Sequence, residues 1–282
     1  MAEPRGRVGK GVADGSDAVE RLAAGGETLL PSFTSEELVA IGANSPLPGL
    51  LISERLSEMG PIPLTAALGA ALRGLVARAY VDPDAVTAEL AAEDGPEEID
   101  IPLGGDLALI VGIRRSPDFV GLVSGPKPAA LAGLSLASAA KTEVVLHGLI
   151  RPDGPLVLEE RRTPLGVHAF ALRTLPREAS ALVHWLRSVA AEGDARRSDV
   201  EGIAVEIELA LPPGPGAALD AAHHRCSVIV EPGGEKASLL GDEPGDATGM
   251  TIEELPARLS IVLTRLLAPL LECESADEPP GK

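Results

Sequence analysis

The sequence predicts an α+β protein built from duplicated β-hairpin-plus-helix units, which would form a pseudo-two-fold, mostly antiparallel sheet flanked by helices. The chain matches itself without gaps at an offset of 80 residues, which places the turn at 151–154 over the turn at 231–234. The same offset places Leu175-Pro176 over Leu255-Pro256. An apolar run precedes each turn, and a run with helical period follows each Leu-Pro pair. One hairpin, loop and helix are therefore expected to occur twice.

The N-terminal third predicts an unstructured arm and then helices. Gly, Ala and charged residues dominate 1–31, so we expect a mobile arm that holds a short helix at 17–24. A helix is expected after Thr34 or Ser35, since either side chain can cap it and acids fill its first turn. Leucines at helical spacing predict a second helix over 64–80.

The segment 82–100 carries eight acidic residues and no Lys or Arg. We interpret it as a solvated loop and helix face. A cation site or a surface for a basic partner is the alternative, although the ligand spacing and central Gly of an EF-hand are missing.

From residue 107 the apolar pattern becomes that of strands separated by turn residues. Hairpin turns are predicted at 115–118 and 151–154, where Pro and Gly or Asp favour turn geometry. An amphipathic helix is predicted over 176–191. The predicted strands are 107–113, 119–123, 142–150, 155–160 and 166–172.

The polar segment 192–199 separates a first half, 32–191, from a second half, 200–271, and an acidic tail follows at 272–282. The second half repeats the plan of the first. Its predicted elements are a strand at 203–209, a hairpin of 226–230 with 236–240, and a helix at 256–268 that Pro269 should end or kink.

Charge and composition limit the classes of partner. The net charge is −18, and Lys and Arg contacts to phosphate are what nucleic-acid binding requires, so we expect no nucleic-acid and no membrane partner. The acidity favours solubility and a basic protein partner. Cys226 and Cys273 lie far apart in sequence, and no signal peptide is visible, so a cytoplasmic location is expected.

Residues that could carry chemistry are few. His223, His224 and Cys226 form the only cluster of metal-ligating residues, and His224 and Cys226 would share one strand face, which is too few ligands for zinc. Ser124, between Gly121 and Gly125, lacks the spacing of a nucleophile elbow.

Glu159-Glu160-Arg161-Arg162 resembles an acid pair, but neighbouring strand residues face opposite ways, so a solvated strand end with ion pairs is expected. We therefore predict no catalytic, cofactor-binding or metal residues, and a non-enzymatic protein. No partner-binding residue can be assigned from the sequence.

Two family resemblances suggest more specific functions. The segment 64–82 resembles the helix that precedes a wing in winged-helix transcriptional regulators, but acidic residues follow it where a DNA-binding wing would be basic. An accessory structural protein is a further alternative.

The layout of 32–270 resembles the EspG family, the cytosolic chaperones of type VII secretion. The resemblance lies in the Phe-Thr-Ser-Glu-Glu-Leu element at 33–38, in the helix end at 72–81 and in the closing strand, turn, strand and amphipathic helix. Ala79 stands where the family has Gly, and 246–252 lacks the aromatic residue usual before the last helix.

The EspG resemblance implies a pseudo-two-fold antiparallel sheet flanked by helices. It also implies a chaperone without a cofactor. Its partner would be a secreted helical heterodimer of the PE–PPE type, bound through the sheet and the C-terminal helices. No single binding residue can be transferred from the family to this sequence.

Overall fold

The structure, a computed structural model, is an α+β fold with a nine-stranded antiparallel sheet. It describes residues 17–43, 61–90, 103–128, 142–163, 165–194, 203–210, 224–231, 235–240 and 248–275. The helices are α1 (Asp17–Gly25), α2 (Ser35–Ala40), α3 (Pro61–Ala77), α4 (Pro83–Leu90), α5 (Gly105–Arg115), α6 (Leu175–Asp194) and α7 (Leu255–Ser275). The strands are β1 (Glu27–Thr34), β2 (Phe119–Pro128), β3 (Thr142–Leu149), β4 (Leu156–Arg162), β5 (Val167–Thr174), β6 (Ile203–Ala210), β7 (His224–Val230), β8 (Lys236–Leu240) and β9 (Thr248–Thr251).

The strand order is β1-β5-β4-β3-β2-β6-β7-β8-β9. Strands β2 and β6 pair antiparallel inside this order, with Val123 opposite Ile207. From β2 the chain runs outwards through β3, β4 and β5 and then enters α6; from β6 it runs outwards through β7, β8 and β9 and then enters α7. Both helices begin at the Leu of a Leu-Pro pair.

The chain divides into two compact units. The first comprises Met1–Pro117, Glu160–Leu172 and Pro212–Pro215, and the second comprises Asp118–Glu159, Arg173–Leu211 and Gly216–Lys282. The predicted halves, 32–191 and 200–271, follow the internal sequence match. The two units instead group residues that contact one another in space, so their boundaries differ from those of the halves.

The core of the second unit joins α6 and α7 to the strands. Leu182, Val183 and Leu186 of α6 are buried together with Leu263 of α7 among side chains of β2, β3, β6, β7 and β8. Val262 and Leu266 pack against this core and stay partly exposed. Apolar residues at helical spacing form a stripe that burial stabilises, so the helix faces predicted from the sequence do pack as core.

Glycines at two points of β2 and β3 fit the sheet together. Gly148 lies opposite Phe119, whose ring fills the space that a β-carbon on Gly148 would occupy. Gly125 has φ +128 and lies where the pairing of β2 with β6 shifts register between Ser124 and Lys127. Both positions exclude a larger residue, one by packing and the other by backbone conformation.

In the first unit, helix α3 ends in a Schellman motif. The amide of Tyr80 donates to the carbonyl of Leu75 at 3.0 Å, and that of Ala79 donates to Val76 at 2.9 Å. Ala79 has φ +59, the left-handed conformation that Gly usually supplies at this position. The helix end is therefore strained by a side chain.

Four expectations from the sequence are corrected at the level of elements. Residues 17–31 do not belong to a mobile arm: the short helix expected at 17–24 is present as α1, and most of β1 follows it, with Leu22 and Leu30 buried. The run 107–113 is helical, not extended, because α5 buries several sides of its apolar sequence. A continuous short apolar run fits a buried helix as well as a strand. The charges at its two ends favour a helix, because Asp106 lies in the first turn and Arg114 in the last, where each complements the helix dipole.

The turn at 115–118 therefore connects a helix to β2 and does not close a hairpin. Helix α7 does not end at Pro269 but continues to Ser275. Strand β9 was not predicted, since its sequence, Thr-Gly-Met-Thr, has little apolar alternation. None of the described helices combines the length and the hydrophobicity that spanning a bilayer requires.

Candidate functional site

Two consecutive glutamates on β4 are both buried. Glu159 is 3% exposed and Glu160 is 2% exposed. The predicted solvated strand end is therefore wrong, although the two side chains do belong to separate clusters, as strand alternation requires. A buried carboxylate needs a charge partner and hydrogen bonds. Each glutamate has both.

Glu160 forms a buried ion pair with Arg114 of α5. The Arg114 Nε donates to Glu160 Oε2 at 3.0 Å, and its Nη2 lies 3.5 Å from Oε1. The Arg114 Nη1 also donates to the carbonyl oxygen of Ala43. Arg114 is 1% exposed, so the pair is removed from water on both sides. A glutamate carboxylate has only acceptors, which match the two guanidinium donors of Arg114.

His168 and Ser35 extend this pair into a chain of hydrogen bonds, which we call the serine–histidine cluster: Arg114, Glu160, His168 and Ser35. The Nδ1 of His168 lies 2.6 Å from Glu160 Oε1, and its Nε2 lies 2.9 Å from Ser35 Oγ. Ser35 Oγ is also 3.2 Å from the carbonyl oxygen of Gly166. All members belong to the first unit.

The backbone places Ser35 at the junction of β1 and α2. Thr34, one of the two caps expected from the sequence, is the N-cap of α2 and forms a capping box with Glu37. The amide of Ser35 donates to the Gly166 carbonyl at 2.8 Å. Ser35 is partly exposed, whereas His168 is 1% exposed. The hydroxyl therefore lies between solvent and a buried imidazole.

This geometry matches the chemical requirement for an activated hydroxyl. A nucleophile must hydrogen-bond to a base, and a third group must orient that base. Ser35, His168 and Glu160 stand in that order at hydrogen-bond distances.

A second cluster, in the second unit, contains Glu159, Arg173 and Glu178. Arg173 Nη1 lies 3.0 Å from Glu159 Oε1 and 3.1 Å from Glu178 Oε2. Glu178 is fully buried. Burial, followed by the negative charge of Glu159, raises the pKa of Glu178 to about 8, against the opposing effect of Arg173. One cation facing two carboxyls is balanced when one of the carboxyls keeps its proton.

The raised pKa of Glu178 sets the sign of a pH effect. The folded state holds this proton up to about pH 8, whereas a glutamic acid in the unfolded chain releases it near the ordinary pKa of 4.5. Stability from this group is therefore complete below pH 4.5 and is lost as the pH rises through about 8.

Where the structure describes the residues weighed from the sequence for metal binding and nucleophilic chemistry, they form neither a metal site nor a catalytic triad. Cys226 is buried on β7, His224 on the same strand is partly exposed, and His223 lies outside the described residues. Ser124 lies on β2. Across the described ranges, no group of three or more His, Cys, Asp or Glu side chains could hold a metal ion. Of the acidic segment 82–100, the part up to Leu90 includes α4 and the part from 91 is outside the description.

From the sequence, Ser35 is identified only as a helix cap, and His168 has no role. One signal was available: Glu160 and His168 are eight residues apart on either side of a predicted turn, so the hairpin brings them close. Nothing local to Arg114 or Ser35 indicates that these residues reach the same hairpin.

A few large apolar side chains remain exposed among the described residues: Leu29 on β1 at 73%, Leu165 at 91% in the β4–β5 turn, and Ile261 on α7 at 46%.

No protein-family model matches the chain, and a search of curated proteins found no match. The assignment of function therefore depends on the architecture and on these clusters.

Proposed function

We propose that this chain is a cytoplasmic protein-binding protein, and that it binds a secreted helical partner in the way the EspG resemblance implies. The observation that carries the proposal is the order of elements about the β2–β6 pair. Three further strands and then a helix follow in chain order from each member of that pair: β3, β4, β5 and α6 from β2, and β7, β8, β9 and α7 from β6. A pseudo-two-fold sheet followed by a C-terminal helix is what the family resemblance implies.

Duplication of one unit accounts for this order economically. The runs β2–β5 with α6 and β6–β9 with α7 have the same sequence of elements, and their helices start at equivalent Leu-Pro pairs. The turn between β3 and β4 also has the glycine that the predicted match requires, since Gly154 has φ +118.

The end of α3 supports the resemblance at a single residue. The family has Gly where this chain has Ala79, and Ala79 adopts φ +59. A left-handed residue after the Arg at this position is the conformation that a Gly in the family motif would supply. The backbone at Ala79 therefore fits the motif even though its side chain departs from it.

We place the partner on the outward side of α7. Ile261 is 46% exposed there, whereas Leu259 and Leu263 of the same helix are buried. An apolar side chain beside a helix partner can act as an anchor, since helix-binding surfaces use such residues. The net charge of −18 favours a partner with a basic surface.

The winged-helix regulator is the competing function. In that fold a wing would follow the helix corresponding to α3, whereas this chain continues into a turn and α4, with Val81 and Leu103 joined by a single bridge. The order of elements after α3 therefore differs from a winged helix, and a DNA-binding measurement tests the regulator hypothesis directly.

The two functions are separated by one experiment with two measurements. The tagged full chain is used to capture proteins from the source cell, and each captured protein is purified and titrated against the chain by calorimetry. The same preparation is titrated with a random DNA duplex at near-physiological salt. We expect saturable binding of a helical protein and no binding of DNA. DNA retardation at micromolar protein, lost steeply with added salt, would instead favour the regulator.

A further inference from the structure

We propose that Ser35 is a nucleophile, activated by His168, that reacts with neutral carboxylic esters bearing an apolar acyl group. This inference goes beyond the proposed binding role and does not depend on it. It contradicts the expectation of a non-enzymatic protein. Its basis is the serine–histidine cluster.

The hydrogen bonds of the cluster fit one arrangement of protons that activates Ser35. Glu160 accepts two guanidinium donors from Arg114, and a carboxylate that offers only acceptors to His168 Nδ1 places the imidazole hydrogen on that nitrogen. In the neutral imidazole, a hydrogen on Nδ1 leaves a lone pair on Nε2. That lone pair faces the Ser35 hydroxyl at 2.9 Å, so Nε2 can accept the serine proton.

The Gly166 carbonyl is the competing acceptor for the same hydroxyl. Its oxygen lies 3.2 Å from Ser35 Oγ, which is longer than the distance from Oγ to His168 Nε2. It also accepts the Ser35 backbone amide at 2.8 Å. The Gly166 carbonyl therefore anchors the serine backbone, and His168 is the better acceptor for the hydroxyl proton.

Ser35 provides access for a substrate, whereas the buried members of the cluster fix the orientation of the imidazole. Ser35 is partly exposed, whereas His168 and Glu160 are buried. The imidazole is fixed by Glu160 on one side and lies parallel to the ring of Phe170, with 6.5 Å between centroids. We therefore assign Ser35 and His168 as catalytic residues and Glu160 and Arg114 as positioning residues.

The surroundings of Ser35 indicate the substrate class. Leu165 precedes Gly166 in the chain and is 91% exposed, so an apolar side chain lies in the turn whose Gly166 carbonyl accepts the Ser35 amide. The net charge of −18 disfavours anionic substrates. A neutral ester with an apolar acyl chain fits both conditions.

The reaction proceeds in two balanced stages. Ser35 Oγ bonds to the ester carbonyl carbon while its proton passes to His168 Nε2; the intermediate then expels the alcohol, which takes that proton. The acyl group remains on Ser35. Water attacks the acyl carbonyl, His168 accepts its proton and returns it to Ser35 Oγ, and the carboxylic acid is released.

The test uses a fluorophosphonate probe on the full chain, with the modified residue located by peptide mass spectrometry. In this reaction the Oγ–P bond forms, the P–F bond breaks and fluoride leaves. We expect the label on Ser35 in the native protein and its loss after unfolding in urea. Ser35→Ala should abolish labelling, whereas Ser32→Ala, at an exposed serine three residues earlier on β1, should retain it.

The roles of the other residues are tested by labelling rates, measured well below each variant's melting temperature. His168→Gln should slow labelling about 100-fold or more. Glu160→Gln should slow it, whereas Glu159→Gln, at the neighbouring buried glutamate of the other cluster, should leave it unchanged. A general loss of packing would affect both glutamate variants.

Hydrolysis of p-nitrophenyl butyrate tests the ester class, with about one nitrophenol released per chain in an initial burst. A wild-type protein whose Ser35 stays unlabelled when native, or labels equally fast when unfolded, would overturn the proposal. Labelling of Ser35 without nitrophenol release would overturn the assignment of the substrate.

Discussion

Replacing Ala79 with Gly should stabilise the protein, although it removes a side-chain atom. Ala79 has φ +59, and a left-handed conformation costs an L-residue roughly 1–2 kcal/mol. Gly removes that strain but adds freedom to the unfolded chain, which offsets about 0.4–1 kcal/mol. Ala79 is exposed, so little packing is lost. We expect a net gain of about 0.5–1 kcal/mol in the free energy of unfolding.

The matched control is Ala70→Gly, the same substitution at an exposed position inside α3. There the backbone is helical, and Gly should destabilise by about 1 kcal/mol. Urea denaturation followed by circular dichroism should shift the two midpoints in opposite directions. With a slope near 2 kcal/mol per molar urea, each shift should be roughly 0.2–0.5 M.

A midpoint that falls for Ala79→Gly, as it should for Ala70→Gly, would refute this reasoning. The Schellman end of α3 would then carry no strain at Ala79, and the support that this position gives to the EspG resemblance would be lost.

Three further substitutions test the core, the buried acids and the sheet. Leu263→Ala should destabilise by roughly 2–5 kcal/mol, because Leu263 is 1% exposed within the core of the second unit; thermal denaturation would show it, and a loss below about 1 kcal/mol would contradict the packing. Glu178→Gln should gain stability relative to the wild type as the pH rises from about 5 to about 8, because the wild type alone must keep a buried acid protonated there; parallel curves of unfolding free energy against pH would argue against the raised pKa. Gly148→Ala should destabilise by about 1–3 kcal/mol through collision with the Phe119 ring, whereas Gly249→Ala, with open space around it, should be tolerated; equal losses would contradict the register of β2 with β3.

Elements with a clean period were predictable from the sequence. Strand β8 was predicted with its observed bounds, and both Leu-Pro pairs were predicted to begin helices. Alternating or helical apolar spacing reports which face is buried, and the turn residues fix the ends. These signals are local, so they are readable without the rest of the fold.

The missed elements depend on their surroundings. Helix α5 is buried on several sides, so its sequence lacks the polar face that distinguishes a surface helix from a strand. Strand β1 lies at the edge of the sheet and carries Pro31, which weakens its strand pattern. Contacts with neighbouring elements, which the sequence does not show, therefore decide the secondary structure of both segments.

The two buried clusters could not be predicted because their charges look like surface charges in sequence. Glu160 becomes a core residue only through Arg114, which is 46 residues away, and through His168 across the hairpin. Charge pairs between residues this far apart in the chain produce no regular spacing that could be recognised in the sequence. Consecutive glutamates on a strand were correctly expected to separate, but burial of both was not expected.

The central claim, that α7 presents a protein-binding surface, is tested most directly by the dissociation constant of the captured partner for two matched variants. Ile261→Glu places a charge on the proposed surface, and Leu29→Glu makes the same kind of change at an exposed apolar residue of β1. We predict binding at least about tenfold weaker for Ile261→Glu, with Leu29→Glu equal to the wild type and both variants as stable as it. Unchanged affinity for Ile261→Glu, or equal weakening by both variants, would contradict the claim.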